Sequence, residues 1–297
     1  MKLQKIVEMA TDKSNFSDLN GYINFCRIYL EYISKNLQAT IVSKNENYYN
    51  FYQYDKYGNF QITRPINSNL MYDIGSFDKI VKEFIKLLKI VQEVEITNSK
   101  QRNIILNSVY TIQQSIGAAL DGLPAGKSNT ARKLNGDLFE NFIRLIIKEI
   151  GIDCRAGVIN VPVIANSEQY FMSYQHDLII EDEEKIKVIG SIKTSSKDRL
   201  DKIFVDKYLY NKLTATSTPH IAVFLNDVQR KNTRKENEYG INATFLPGHF
   251  IGYTIALNPL DGVYYCDIRP NMKTGDVLKN HIKTFDHLIC EDIWKYL

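Results

Sequence analysis

Apolar residues in the N-terminal part of the chain recur at three- and four-residue intervals, the spacing of amphipathic helices. The repeat predicts a first helix from about Ser17 to Leu37. Ser76, a residue type that favours helix N-termini, begins a second helix with a broad apolar face, and a third covers about Lys100 to Leu120. These three helices make the N-terminal part mainly helical.

Between the first two helices the pattern changes to one typical of strands. Residues 40–42 and 48–54 are rich in β-prone types and predict a strand pair. The residues Asp55–Asn59 predict a turn, which leads into a further β-prone run at 60–63. We therefore expect a β-hairpin within the helical N-terminal part.

After Gly122 helices and strands alternate. The predicted elements are a helix at 136–150, strands at 158–165, 174–181 and 186–192, a helix at 197–213, strands at 220–225, 241–246 and 263–268, and a last helix at 278–296. The run His220–Leu225 is almost entirely apolar and predicts a buried central strand. The pattern is that of an α/β fold with a central mixed sheet flanked by helices.

Breaker residues and positive charge concentrate at 122–133, where we place the main boundary. The prediction is a mainly helical region at 1–121, acting in dimerisation or as a DNA clamp, and a catalytic domain at 122–297. The chain lacks the roughly 20 uninterrupted apolar residues of a membrane span, and its first residues do not form an apolar signal core, so we expect a cytoplasmic protein.

Amino-acid composition excludes only a few classes of protein. The 297 residues are 44% hydrophobic and include 37 Lys or Arg and 34 Asp or Glu, a formal charge of +3. The apolar fraction excludes a disordered chain, and the small net charge does not indicate a polyanionic partner. Four cysteines lie far apart without zinc or disulfide spacing, and we interpret them as reduced packing residues. Evidence for function must therefore come from local groups of polar residues.

One such constellation follows the predicted helix, strand, strand and helix. Glu140 lies on the helix, Asp177 near the start of a strand, and Lys193 at the end of the next strand. A carboxylate and a lysine on neighbouring strands can converge, where acidic oxygens bind a hard cation and the ammonium stabilises charge on a phosphate. Singly, each residue is more often structural, and Glu140 could pair with Arg144 on a solvated face. Together they indicate a metal-dependent nuclease.

These residues resemble the motifs of the PD-(D/E)xK nuclease superfamily. Gly136–Glu140 is similar to its helix motif, His176-Asp177 to its Pro-Asp element, and Ser191-Ile192-Lys193 to its carboxylate-x-Lys element. Ser191 replaces the usual acid, as in the branch of type II restriction endonucleases that cut CCGG and CCNGG or CCWGG sites. The resemblance covers roughly residues 136–225.

In that branch the missing acid comes from the following helix, twelve or thirteen residues after the lysine. The resemblance therefore implies that Asp206 is the displaced acid, with Asp201 as the alternative. It implies Mg²⁺ bound by Asp177, Asp206 and Glu140, with Lys193 completing the catalytic set.

The same branch carries an Arg-(Asp/Glu)-Arg triplet four residues after the lysine, and Lys197-Asp198-Arg199 is similar to it. Basic side chains donate to guanine O6 and N7, and a carboxylate accepts from cytosine N4, so the triplet implies C·G readout in the major groove. Lys197 cannot supply the planar fork of arginine, which loosens one contact.

Other basic residues suggest DNA contacts outside this triplet. Lys127, Arg132 and Lys133 precede the acid of the helix motif and would touch phosphates, and Arg230 lies in a second basic cluster. Both clusters have a solvated surface as the alternative. The run 122–128 departs from the phosphate-binding loop pattern, so we expect no nucleotide cofactor.

The resemblance implies a type II restriction endonuclease that cuts double-stranded DNA at a short palindrome containing C·G pairs, leaving 5′-phosphate and 3′-hydroxyl ends. A palindromic target fits a homodimer, with a tetramer as the alternative. Two other functions stay open: a structure-specific repair or recombination nuclease, and a non-catalytic DNA-binding protein.

Overall fold

A computed structural model describes residues 2–54, 62–124, 126–235 and 237–297. The turn predicted at Asp55–Asn59 and the first two residues of the β-prone run at 60–63 lie outside the described residues.

The helices, in chain order, are α1 (Leu3–Thr11), α2 (Leu19–Asn36), α3 (Ile74–Lys89), α4 (Ser99–Leu120), α5 (Ser128–Glu149), α6 (Leu200–Thr214), α7 (Pro247–Ala256), α8 (Gly275–His281), α9 (Phe285–His287) and α10 (Ile293–Tyr296). The strands are β1 (Ala39–Val42), β2 (Tyr49–Gln53), β3 (Ile66–Asn67), β4 (Arg155–Ala165), β5 (Glu168–Asp182), β6 (Lys185–Lys193), β7 (His220–Phe224), β8 (Val228–Asn232), β9 (Tyr239–Ala243), β10 (Gly262–Tyr265) and β11 (Ile282–Thr284). This is the predicted α/β architecture. None of the described helices is both long enough and apolar enough to cross a bilayer.

The chain divides into two compact units. The first comprises Met1–Ile90, Ile96–Ile146 and Val228–Thr244, and the second Val91–Glu95, Ile147–Asp227 and Phe245–Leu297. The division of the chain at residue 122 into two domains stays a prediction.

The first unit is built around α4, whose side chains are buried along most of its length. Helices α1, α2 and α3 pack against it. The predicted hairpin is present, because β1 and β2 pair antiparallel and β3 adds a third strand. Strands β8 and β9 form a separate antiparallel pair, and Val228 and Ile241 pack with Tyr49 and Phe51 of β2.

The second unit contains a six-stranded sheet in the order β11-β10-β7-β6-β5-β4. The pairs β6–β7, β7–β10 and β10–β11 are parallel, whereas the pairs β4–β5 and β5–β6 are antiparallel. All five residues of β7 are buried, which confirms the predicted central strand. Apolar residues of α6, α7, β7 and β10 form a core on one side of this sheet, among them Phe204, Phe250, Phe224 and Val263.

Several sequence predictions about elements were wrong in detail. Helix α3 begins at Ile74 rather than Ser76, because Asp73 is the N-cap and its side chain accepts from the backbone N–H of Ser76. Helix α6 begins at Leu200 rather than Lys197, because Asp198 has a left-handed backbone with φ of 57°, which a helix cannot accommodate. Helix α5 begins at Ser128 rather than Gly136, since the backbone N–H of Ala131 already bonds to Lys127 O.

The last helix predicted at 278–296 is interrupted. Residues Ile282–Thr284 form β11, which pairs in parallel with β10 through Val263 and its two successors. Pairing with an open sheet edge satisfies the backbone of this segment, and local helical periodicity cannot reveal such a partner.

Candidate active site

The structure brings Asp177 and Lys193 together. Asp177 lies on β5 and Lys193 is the last residue of β6. The ammonium nitrogen of Lys193 is 2.6 Å from Oδ2 of Asp177. The Asp177 side chain is only 11% exposed and that of Lys193 is 32% exposed, so the pair is partly shielded from water and reachable from one side.

The antiparallel pairing of β5 with β6 creates this contact. Leu178 lies opposite Gly190, and the backbone N–H of Ile192 donates to Oδ2 of Asp177 at 2.9 Å. A Cβ atom at position 190 would lie 2.9 Å from Cδ2 and 3.0 Å from Cβ of Leu178. Glycine at 190 therefore lets the two strands approach directly beside the Asp177–Lys193 pair.

His176 packs against α6, where its ring centroid lies 6.1 Å from that of Tyr210, one turn after Asp206. Burial lowers the pKa of His176 below its ordinary value, while the negative charges of Asp206 and Asp177 act in the opposite direction. Both negative charges therefore favour the protonated form of His176, and burial outweighs them. Asp206 lies on α6, is partly buried, and forms an ion pair with the exposed Lys202 one turn earlier.

Helical geometry separates the two acids proposed as the displaced ligand. Asp201 and Asp206 are five residues apart on α6, which places them about 140° apart around the helix axis. Asp201 is exposed and lies in the first turn. Asp206 is the one whose charge acts on His176.

The described ranges contain no group of three or more His, Cys, Asp or Glu side chains arranged to hold a metal ion. A hard cation does not require such a group, because Mg²⁺ keeps several waters and is usually bound by one or two carboxylates together with substrate phosphates. Asp177 on β5 and Asp206 on α6 are carboxylates, the ligand type that Mg²⁺ prefers. The residues present therefore fit a Mg²⁺ ion completed by DNA.

Glu140 lies on α5 within the first unit and is partly buried. Its part in metal binding stays a prediction. Ser191 is partly buried on β6, two residues before Lys193, as the spacing required.

The segment between β6 and α6, residues 194–199, carries the predicted base-reading triplet and is named the β6–α6 loop below. Lys197, Asp198 and Arg199 are all exposed. Asp198 has φ of 57°, and Arg199 is the residue that precedes helix α6. The left-handed turn keeps the triplet outside the helix, which leaves the three polar side chains at the surface.

Comparison with solved structures adds one decisive observation. The chain superposes on the crystal structure of the type IIP restriction endonuclease Kpn2I with a TM-score of 0.72, over 99% of this chain and 97% of that one, at 18% identity. It has the fold of Kpn2I.

A second solved structure, the restriction endonuclease PspGI in complex with substrate DNA, matches 74% of this chain and 92% of that chain, with 14% identity and a TM-score of 0.42. No protein-family model matches the chain, and no curated protein shows a significant sequence match. The likeness to Kpn2I therefore lies in the fold, to which β5, β6 and α6 belong.

Sequence reasoning missed Asp227, which is completely buried three residues after the end of β7. It accepts hydrogen bonds from Ser195 Oγ and from the backbone N–H of Ser196, at 2.7 and 2.8 Å. An available signal was its position, because polar residues directly after a buried parallel strand are often functional.

The predicted phosphate-contacting residues lie in the first unit. Lys127 precedes α5, and Arg132 and Lys133 are exposed near its start. Arg230 is exposed on β8, but its guanidinium donates to Ile62 O at 3.1 Å and lies 5.5 Å from the ring centroid of Tyr239. These contacts hold Arg230 in place at the surface, and Lys127, Arg132, Lys133 and Arg230 all stay predicted DNA contacts.

Proposed function

We propose that this protein is a Mg²⁺-dependent type II restriction endonuclease that hydrolyses both strands of duplex DNA at a short palindromic site containing C·G pairs. The observation that carries the proposal is the Asp177–Lys193 contact at the end of an antiparallel strand pair. It occurs within a fold shared over nearly its whole length with Kpn2I, a type IIP restriction endonuclease.

Asp177 and Asp206 would hold the metal ion, with Glu140 holding a further ligand or a water. A bound Mg²⁺ would stabilise the negative charge that develops on the scissile phosphate. Lys193, held 2.6 Å from Asp177, brings a positive charge to the same point. There it orients the attacking water and stabilises charge on the phosphate, and the products carry 5′-phosphate and 3′-hydroxyl ends.

The β6–α6 loop would read bases. Lys197 and Arg199 can donate to guanine O6 and N7, and Asp198 can accept from cytosine N4. Their exposure leaves all three side chains accessible to a DNA groove. Lys127, Arg132 and Lys133 would contact phosphates and position the duplex without reading its sequence.

One such site cuts one strand, so a double-strand break requires two sites. A palindromic target presents each half-site in the same way to two copies related by a two-fold axis. We therefore propose a homodimer as the active form, with a tetramer as the alternative.

Two observations favour a second candidate, a sequence-specific DNA-binding protein that does not cleave. Ser191 stands where an acid is usual, and Asp206 is engaged by Lys202. This candidate retains the exposed base-reading triplet and differs only in lacking hydrolysis.

Incubation of the purified protein with unmethylated plasmid, in Mg²⁺ and in EDTA, tests the proposal. We expect discrete fragments in Mg²⁺ and intact plasmid in EDTA. A smear of fragments would indicate a nuclease without sequence preference, such as a repair or recombination enzyme. Intact plasmid in Mg²⁺, with specific sites occupied in a footprint, would establish the non-cleaving candidate.

A further inference from the structure

Asp227 is a fully buried carboxylate that the proposed chemistry does not use. Its Oδ1 accepts from Ser195 Oγ at 2.7 Å and from the backbone N–H of Ser196 at 2.8 Å. Its Oδ2 accepts from the hydroxyl of Ser196 and from the hydroxyl of Tyr265 at 2.7 Å. Burial raises the pKa of Tyr265 well above its ordinary value, and the charge of Asp227 acts in the same direction, so this phenol stays a donor.

The residues that follow β7 form hydrogen bonds, in chain order, to Lys193 at the end of β6 and to the residues after it. The backbone N–H of Leu225 donates to Lys193 O at 3.2 Å, and that of Asn226 donates to Thr194 O at 3.4 Å. Asp227 then accepts hydrogen bonds from the next two residues, Ser195 and Ser196. Hydrogen bonds from the residues after β7 thus hold consecutive residues at the start of the β6–α6 loop, beginning at Lys193 of the candidate active site.

A buried carboxylate is costly unless polar partners replace the water it has lost. The partners of Asp227 include Ser195 and Ser196 of the β6–α6 loop and Tyr265 on β10. If the loop moves away, the carboxylate loses its bonds to Ser195 and Ser196. The position of the loop and the solvation of Asp227 therefore depend on each other.

We propose that Asp227 is a positioning residue that holds the β6–α6 loop in a fixed relation to Lys193, so that base reading by Lys197, Asp198 and Arg199 is coupled to placement of the catalytic lysine. The role of the loop in base reading rests on the proposed function. The fastening of the loop by Asp227 does not, and it can be tested without DNA.

Limited proteolysis with trypsin measures how firmly the loop is held. The exposed Arg199 is followed by Leu200, and cleavage of this bond requires the loop to open. Asp227→Asn has one acceptor oxygen instead of two. We therefore expect cleavage after Arg199 to be about tenfold faster, the factor expected for the loss of one hydrogen bond to a charged group. Mass spectrometry maps the cleavage site. Ser195→Ala removes a single loop hydroxyl and should act in the same direction with less risk to folding.

Asp292→Asn is the matched control. Asp292 is a buried carboxylate of the same unit that accepts from Tyr264, Lys283 and Lys295, none of which belongs to the loop. Its variant should leave cleavage after Arg199 at the wild-type rate. The proposal is overturned if Asp227→Asn leaves that rate unchanged or if Asp292→Asn raises it equally. Should Asp227→Asn fail to fold, Ser195→Ala decides by the same criterion.

A second readout addresses the coupling. With the cognate site known, kcat/KM is measured on that site and on one with a single C·G pair replaced. We expect Asp227→Asn to reduce the ratio of the two values about tenfold, within the discrimination one base contact provides. A proportional loss on both substrates would overturn the coupling. If the wild-type protein cleaves no DNA, the proposed function fails, and the trypsin measurement still decides whether Asp227 fastens the loop.

Discussion

At the scale of single residues, Lys193 is the side chain on which the proposed chemistry depends most. Replacement by alanine removes the positive charge beside Asp177, and we expect DNA cleavage to fall at least about 100-fold, the usual loss for one group that stabilises transition-state charge. The rate is measured on plasmid under single-turnover conditions, and DNA affinity should change little.

Lys187→Ala supplies the control for this prediction. Lys187 lies on the same strand, and its ammonium nitrogen is 3.2 Å from Oδ2 of Asp182 on β5. Like Lys193, it forms a lysine–aspartate ion pair between β6 and β5, but at a distance from the candidate site. Its variant should cleave at the wild-type rate. Equal losses in both variants would mean that the lysines act only through stability of the sheet.

His220 carries a prediction about stability and pH. Burial lowers the pKa of His220 from 6.5 to about 4, with the bond between Nδ1 and Thr218 O acting in the opposite direction. Between these two values the unfolded chain binds a proton that the folded chain does not. Stability therefore falls as pH decreases from about 6.5 to about 4, by on the order of 3 kcal/mol for this group.

His220→Asn tests this sign directly. Free energies of unfolding from urea titrations at pH 7 and pH 4.5 should differ less in the variant than in the wild-type protein. His249→Asn, at an exposed position, controls for loss of an imidazole. The interpretation is wrong if the wild-type protein and His220→Asn lose the same stability over this interval.

Single residues also show where sequence reasoning stops. The spacing of Ser191, Lys193 and Asp206 could be recognised because it is a property of the linear sequence. Asp177 and Lys193, predicted to converge, are in contact. Asp227 could not be assigned a role, because its partners Ser195, Ser196 and Tyr265 come from two other segments. Hydrogen bonds between distant segments leave no periodic signal.

At the scale of elements, we propose that the geometry of α6 favours Asp206 over Asp201 as the acid of the site. The helix places Asp201 and Asp206 on different faces, and the charge of Asp206 acts on His176 beside Asp177. We expect Asp206→Asn to abolish Mg²⁺-dependent cleavage and Asp201→Asn to retain it. Fragment yield at a fixed Mg²⁺ concentration measures both, and the reverse result would assign the displaced acid to Asp201.

The elements themselves were predictable where burial and periodicity agree. Strand β7 is apolar throughout and was identified as the central strand, and α2 and α4 agree with the prediction within two residues at each end. The start of α6 was missed because residue type does not reveal the left-handed backbone conformation of Asp198 in the folded loop. Strand β11 was missed because its partner β10 is supplied by the fold.

At the scale of the whole molecule, the proposed dimer predicts how strands are cut. One site per subunit cuts one strand, so a dimer containing one inactive subunit should nick supercoiled plasmid and release open circles. Wild-type protein co-refolded with an excess of Lys193→Ala should therefore give mainly nicked circles on a gel, whereas an excess of Lys187→Ala should still give linear DNA. Linear DNA as the main product of both mixtures would contradict one site per subunit.

The central claim is sequence-specific cleavage of duplex DNA by this chain. It is tested most directly by digesting genomic DNA in Mg²⁺ and sequencing the ends of the fragments. The account predicts that the ends fall at one recurring, two-fold symmetric sequence that contains C·G pairs, and that they carry 5′-phosphates. Ends scattered without a shared sequence, or genomic DNA left intact, would contradict it.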